Sequence, residues 1–291
     1  MDDLLRTALD VTDPADEVVA RSRHRLQNHM RGRVPGKRVG WISAGIAVTA
    51  AAAVAIAVLP GAPPPPAPAP HAAPAPEPAT GQEILLAAAT GAAQADDGSG
   101  AYWHVTIELP YDTYEHWTTA DGRTWFKGRK SNGEAWKLAR IEGPAFSLFA
   151  VSVTLDQLRA LPTDPVALKA WIAEALLHSD ARSSKGPFDA EDREMATFYS
   201  LISLVSTVPA PPEVRAAAFR ALAAYPDVES LGEVPGGQGL LLPGDARLVV
   251  DPATGRVNGT STYVTADGGI YSVSEEEGAR ISAVWTDTPP A

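Results

Sequence analysis

Residues 41–59 form an uncharged run of nineteen, rich in alanine, isoleucine and valine, and Val39 with Gly40 lengthens it to twenty-one. About 20 apolar residues cross the ~30 Å hydrocarbon core of a bilayer as a helix, so this run divides the chain in two. Its flanks agree with a span. Residues 18–38 carry seven basic residues and no acidic one, Arg31, Arg33, Lys37 and Arg38 closing the series, whereas the other flank opens on Pro60, Gly61 and a proline run without lysine or arginine. Because basic residues stay on the cytoplasmic side, the sequence predicts a single-pass protein of the cell membrane, N-terminus in the cytoplasm and C-terminal bulk outside. Trp41 suits the interface, where an indole is half wet, and Ile46, Val54 and Leu59 suit lipid. Two readings compete with this one. A buried core helix is equally apolar, and Ala55-Ile56-Ala57 has the small-x-small pattern read by signal peptidase. Signal peptides usually fit within about 15 to 30 residues, yet here thirty-eight residues precede the uncharged run.

The span sets four regions: a tail (1–38), a transmembrane helix (39–59), a Pro/Ala-rich tether (60–80) and an extracytoplasmic domain (81–291). The tail holds eight basic and six acidic residues, a net of +2; the whole chain carries −11, so residues 39–291 carry −13. That acidity argues against a nucleic-acid partner, which needs a basic footprint. There is no cysteine, which removes disulfides, thiolate metal sites and a cysteine nucleophile.

In the tail, Asp13-Pro14 followed by Asp16 and Glu17 predicts a helix start, with an N-cap, a proline at the first turn and acids at the positive end. The helix runs over 14–30, with Val18, Ser22, Leu26 and Met30 on one seam. Its arginines suit anionic headgroups. A sharper reading is that this helix and Leu5 and Leu9 dock onto a cytoplasmic partner, a sigma factor first among them. The tether has ten prolines in residues 60–78 and favours polyproline II, which at ~3.1 Å per residue spans up to ~60 Å.

The outer region predicts an α+β domain: a curved antiparallel sheet, a half-barrel, with helices packed on one face. A helix over 82–94 shows Ile84, Leu85 and Ala88 on one side. Residues 102–109 alternate Tyr102, His104, Thr106 and Glu108 against Trp103, Val105, Ile107 and Leu109, the period of a half-buried strand. Strands over 114–118 and 123–128 flank Ala120-Asp121-Gly122, a hairpin turn, and 134–141 continues the meander. Asp164-Pro165 caps a helix with Leu168, Ile172, Ala175 and Leu176 inward. A second helix, over 189–208, turns Met195, Phe198, Leu201, Ile202 and Val205 inward, and a third opens at Pro212 and ends by Pro226. Strands return over 247–250 and 256–265, joined by Asp251-Pro252-Ala253-Thr254-Gly255, a turn with proline early and glycine late. A turn over 266–269 leads into 270–274, and 279–285 closes the sheet.

No nucleophile elbow, phosphate loop, dinucleotide fingerprint or zinc-protease motif is present, so no catalytic residue, cofactor or metal is expected. His104 and Glu108 share a strand face that His116 could approach, but three polar residues on a solvated face are the simpler account. Asp96-Asp97 and Glu275-Glu276-Glu277 lack the spaced oxygens of a calcium loop. Trp103, Trp117, Trp125 and Trp136, with Phe126, are more informative, because aromatics line an apolar concavity as readily as they fill a core. These tryptophans are the candidate ligand-binding residues.

The order of parts resembles a family of actinobacterial membrane-anchored proteins of uncharacterised activity found beside extracytoplasmic-function sigma factors. The carrying residues are the basic tail and span, Tyr102-Trp103, the hairpin over 117–125, Leu161-Pro162-Thr163-Asp164-Pro165, residues 212–226 and Leu248 through Gly255. The strand–helices–strand order is also similar to the half-barrel of lipoprotein carriers and lipid-binding lipoproteins, whose concave sheet holds acyl chains. This chain departs from them in lacking a lipid-modified cysteine. The resemblance implies a non-enzymatic, membrane-anchored sensor or binding module whose outer domain takes an apolar envelope lipid or a protein ligand. An anti-sigma-like regulator acting through the tail is the alternative.

Overall fold

The computed structural model describes residues 79–291, apart from 132, 139–143, 184–185, 267 and 274–277. The tail, the span with Trp41, Ile46, Val54 and Leu59, the flanking Arg31, Arg33, Lys37 and Arg38, and the tether up to residue 78 lie outside the described residues, as does the Glu275–Glu277 run. Among the described residues no helix is long and apolar enough to cross a membrane.

The domain is α+β with a large antiparallel sheet. Its first helix, α1 (Gly81–Gln94), starts on a capping box in which the Thr80 hydroxyl accepts from the Glu83 amide at 3.2 Å and Glu83 accepts from the Thr80 amide at 2.8 Å. Such caps stabilise a helix by about 1 kcal/mol. Ile84, Leu85 and Ala88 are buried, as their spacing predicts. A meander follows: β1 (Tyr102–Leu109), β2 (Asp112–Thr118), β3 (Thr124–Lys127) and β4 (Trp136–Lys137). The β2–β3 turn closes with the Thr119 amide donating to the Arg123 carbonyl at 2.9 Å and with Gly122 at φ +85°. Of the strand expected over 134–141, two residues pair; 139–143 lie outside the described residues.

The middle of the chain is mostly helical. A hairpin of β5 (Phe146–Leu148) and β6 (Val151–Val153) leads into α2 (Leu155–Arg159) and α3 (Pro165–Leu177). The Asp164 carboxylate accepts from the Val166 and Ala167 amides, and Leu168, Ile172 and Leu176 are buried. A small ladder of β7 (Arg182–Ser183) and β8 (Gly186–Pro187) precedes α4 (Ala190–Ser206) and α5 (Pro212–Ala223). In α4, Met195 is 44% exposed, a correction to the expected inward stripe: burial begins one residue later, at Ala196, where the helix meets the rest of the domain. Ser200 and Ser203 are buried and polar because they donate to the β5 carbonyls of Leu148 and Ser147 at 2.8 and 3.0 Å.

The last third is again strands: β9 (Glu229–Val234), β10 (Gly237–Leu242), β11 (Ala246–Asp251), β12 (Arg256–Thr260), β13 (Thr262–Val264), β14 (Ile270–Ser272) and β15 (Ala279–Thr286). The nine-stranded sheet has the order β4-β3-β2-β1-β15-β12-β11-β10-β9. It is two meanders joined by the final strand. β15 pairs along nearly its whole length with β1, and by two residues only with β12, Gly259 with Arg280 and Thr260 with Ala279. The strand expected over 256–265 is broken. At Ser261 the chain leaves the large sheet, and β13 pairs with β14 as a separate hairpin. Helices pack against the sheet face that carries Trp103, Val105, Ile107, Leu248, Val250 and Ile281, all buried.

Candidate functional site

The alternation along β1 fixes the site. Trp103, Val105 and Ile107 point to the helical side, and register carries that side on to Tyr114, His116 and Thr118 of β2 and to Phe126 of β3. These side chains floor a cavity of about 450 Å³. Its walls are Phe146 and Ser147 of β5, Thr207 and Val208 at the end of α4, and residues 263–266 with Tyr271 of the β13–β14 hairpin. Leu138 and Ala145 complete the lining. The volume falls within the range of about 300–1,000 Å³ found for small-molecule sites, and a mainly apolar lining with a few polar atoms is the composition of such sites.

The hairpin that roofs the cavity is held at its tip. A side-chain carbon on Gly268, at φ +87°, would collide with the Phe149 carbonyl and the Ser147 hydroxyl, so glycine is what lets the turn settle against the β5–β6 hairpin. At the far end Trp103 is fixed, its Nε1–H donating to the Thr207 carbonyl at 2.8 Å while its ring meets Trp285 edge-on at 5.4 Å. Phe126 lies 4.9 Å from the His116 ring and 6.0 Å from Tyr114.

Four tyrosines gather at the hairpin end. Burial pushes the Tyr263 phenol far up, and the neighbouring Tyr271, Tyr114 and Tyr111 phenols push it further. Burial likewise raises Tyr114, helped by a hydrogen bond to Asp112. Tyr263 and Tyr114 stay neutral, so these phenols offer the cavity hydroxyl groups rather than charge. Such a lining accepts a neutral apolar body with one or two hydrogen-bonding groups.

The four predicted tryptophans part company. Trp103 lines the cavity. Trp117 stands opposite His104 in the ladder and therefore faces away from it, stacked on the His104 ring at 4.4 Å. Trp125 pairs with Trp117 on that same outer face, edge-on to Tyr102 at 5.6 Å with the Arg123 guanidinium over its ring. Trp136 pairs with Phe126 at the sheet edge and is 46% exposed. Sequence reasoning missed Tyr114, His116, Tyr263 and Tyr271. Register across the β1–β2 turn would have reached the first two.

The His104, Glu108 and His116 grouping does not form. His104 Nε2 lies 3.0 Å from a carboxylate oxygen of Glu115, Glu108 stands opposite Arg280, and His116 is on the other face. Among the described residues no three histidines, aspartates or glutamates could share a metal ion. A second cleft, of about 600 Å³, lies on the outer face between Leu231, Val234, Val249, Arg247 and Arg280.

Comparison with family models, with curated proteins and with solved structures returns no match. The fold and the cavity therefore define the class: an α+β domain with an aromatic-lined apolar pocket between its sheet and a crossing hairpin.

Proposed function

We propose that the chain is a membrane-anchored extracytoplasmic binding module, non-enzymatic, whose outer domain takes an apolar envelope ligand into the cavity between β1–β3 and the β13–β14 hairpin. The observation that carries this reading is the cavity itself: mainly apolar, with a few phenol and hydroxyl groups, and roofed by an element outside the large sheet. In this reading the sheet curves as a half-barrel around the ligand, residues 39–59 span the membrane with the N-terminus inside, and the tether spaces the domain from the bilayer. Native mass spectrometry of the purified full chain is the test. Co-purifying lipid is expected, and Ala145→Trp, which fills the cavity from its wall, should release it with the melting temperature held. A chain that never carries an apolar ligand, from any source membrane, sinks the reading.

The second reading, an anti-sigma-like regulator, rests on the basic tail alone. A pull-down with residues 1–38 that recovers no sigma factor removes it.

A further inference from the structure

The cavity has two unlike ends. Register sets Thr118 opposite Trp103 at one end of the floor and Tyr114 opposite Ile107 at the other, about 13 Å apart along β1 at ~3.3 Å per residue. At the Trp103 end the indole is spent on the Thr207 carbonyl, and the Thr207 hydroxyl on Ser203 at 3.1 Å. Trp103 and Val208 are buried there, so this end is closed.

The phenol end is different. Tyr263 is buried, yet its hydroxyl makes no hydrogen bond among the described residues; burial and the phenols of Tyr271, Tyr114 and Tyr111 are what act on it. Its oxygen is not sealed off, and Tyr271 beside it is 39% exposed, so this end meets solvent. A buried hydroxyl left unpaired is costly, and a ligand that pairs it recovers that cost. Charge finds little here to answer it. Among the described residues no lysine, arginine, aspartate or glutamate lines the cavity, and its one imidazole, His116, stands mid-floor opposite Val105. The adjoining cleft brings Arg129 and Asp112, one charge of each sign. A charged head would lose water with no opposite charge in the lining to replace it.

Size narrows the ligand further. A methylene fills about as much liquid as a water, ~30 Å³, so the cavity holds a chain of about fifteen carbons in its volume of about 450 Å³. A second chain has no room.

We infer that the cavity takes a single-chain, uncharged amphiphile, its chain laid along β1 toward Trp103 and Val208 and its hydroxyl or ester head on the Tyr263 hydroxyl. The inference rests on the binding reading and names the ligand class: two-chain phospholipids are too large, and free fatty acids carry the wrong head.

The full chain in a non-ionic detergent is titrated by native mass spectrometry with monoacylglycerols of increasing chain length, with palmitate and with dipalmitoyl-phosphatidylcholine. Monoacylglycerol should bind as one copy, its affinity climbing about fourfold per methylene and levelling off at about fifteen carbons. Palmitate should bind roughly tenfold more weakly than monopalmitoylglycerol, and the two-chain lipid more weakly still. Tyr263→Phe should cost the monoacylglycerol about fivefold with the melting temperature and the chain length of the plateau unchanged. Equal or tighter binding of palmitate or of the two-chain lipid overturns the inference and leaves the binding reading standing. So does an affinity that climbs without a plateau, or one that Tyr263→Phe leaves untouched. A chain that retains no apolar ligand of any class removes the binding reading, and this inference with it.

Discussion

The two wings of the sheet are built from similar meanders and end up opposite in kind. In the β9–β12 wing, backbone meets backbone. A side-chain carbon on Gly91 of α1 would lie 2.5 Å from the Ala253 carbonyl oxygen, and one on Gly255, at φ +62°, would lie 2.5 Å from the Ala88 carbonyl oxygen. The turn over 251–255 is thus pressed into α1, and Leu240, Leu248 and Val250 above it are almost wholly buried. In the β1–β4 wing the sheet faces large rings and a roofing hairpin, and space is left between them. Small residues at contacts give a filled core. Large rings propped by distant elements give a hollow one.

That contrast breaks first at the glycines. Gly255→Ala should cost about 4 kcal/mol, combining a left-handed backbone with a collision against α1, and urea unfolding would register it as a lower midpoint at constant slope. Gly122→Ala in the hollow wing has a similar positive φ of +85° but meets only the Ala145 side chain at 3.6 Å, so about 1–2 kcal/mol is expected there. Equal losses would erase the distinction between the wings. Next come the cores: Leu248→Ala should lose about 3 kcal/mol, Ile107→Ala nearer 2, because Ile107 already borders open space and less new cavity is made. A reversed order by the same assay would mean the cavity closes in solution.

Acid sharpens the comparison further. The Thr254 hydroxyl and the Ala253 amide donate to Asp251 at 2.7 and 3.0 Å and hold its carboxyl below the usual range. Because the folded value is the lower one, this stabilisation is complete above the unfolded value of about 3.9 and fades as pH falls through the folded one. Asp251→Asn should therefore flatten the acid limb of stability against pH, and an unchanged limb would exonerate the turn. The smallest effect expected is Glu115→Gln, whose partly exposed pair with His104 is worth under about 1 kcal/mol.

Much of the frame was legible in the sequence because it is local. Residues 102–109 form a strand with the predicted face inward, Asp164-Pro165 starts a helix, and Asp251 through Gly255 make the predicted turn. β9 and β10 escaped because Gly232, Gly237 and Gly239 dilute their alternation, although Pro235-Gly236 marks the turn between them. The break at Ser261 escaped for another reason. Its amide donates to the Arg247 carbonyl and its own carbonyl accepts from Val273, partners far along the chain. The cavity depends on that break, so the site was legible only as a set of aromatics, and Trp117 and Trp125 were assigned without the register that turns them outward.

The placement of β15 in mid-sheet has a consequence for biogenesis. The last strand of the large sheet in chain order is the one that joins the first meander to the second, so a chain emerging N-terminus first holds two unmated edges, β1 and β12, until residues 279–286 are delivered. A premature stop anywhere before residue 279 would leave two sticky half-sheets rather than a smaller domain, and such products should be cleared or aggregate instead of persisting as folded fragments.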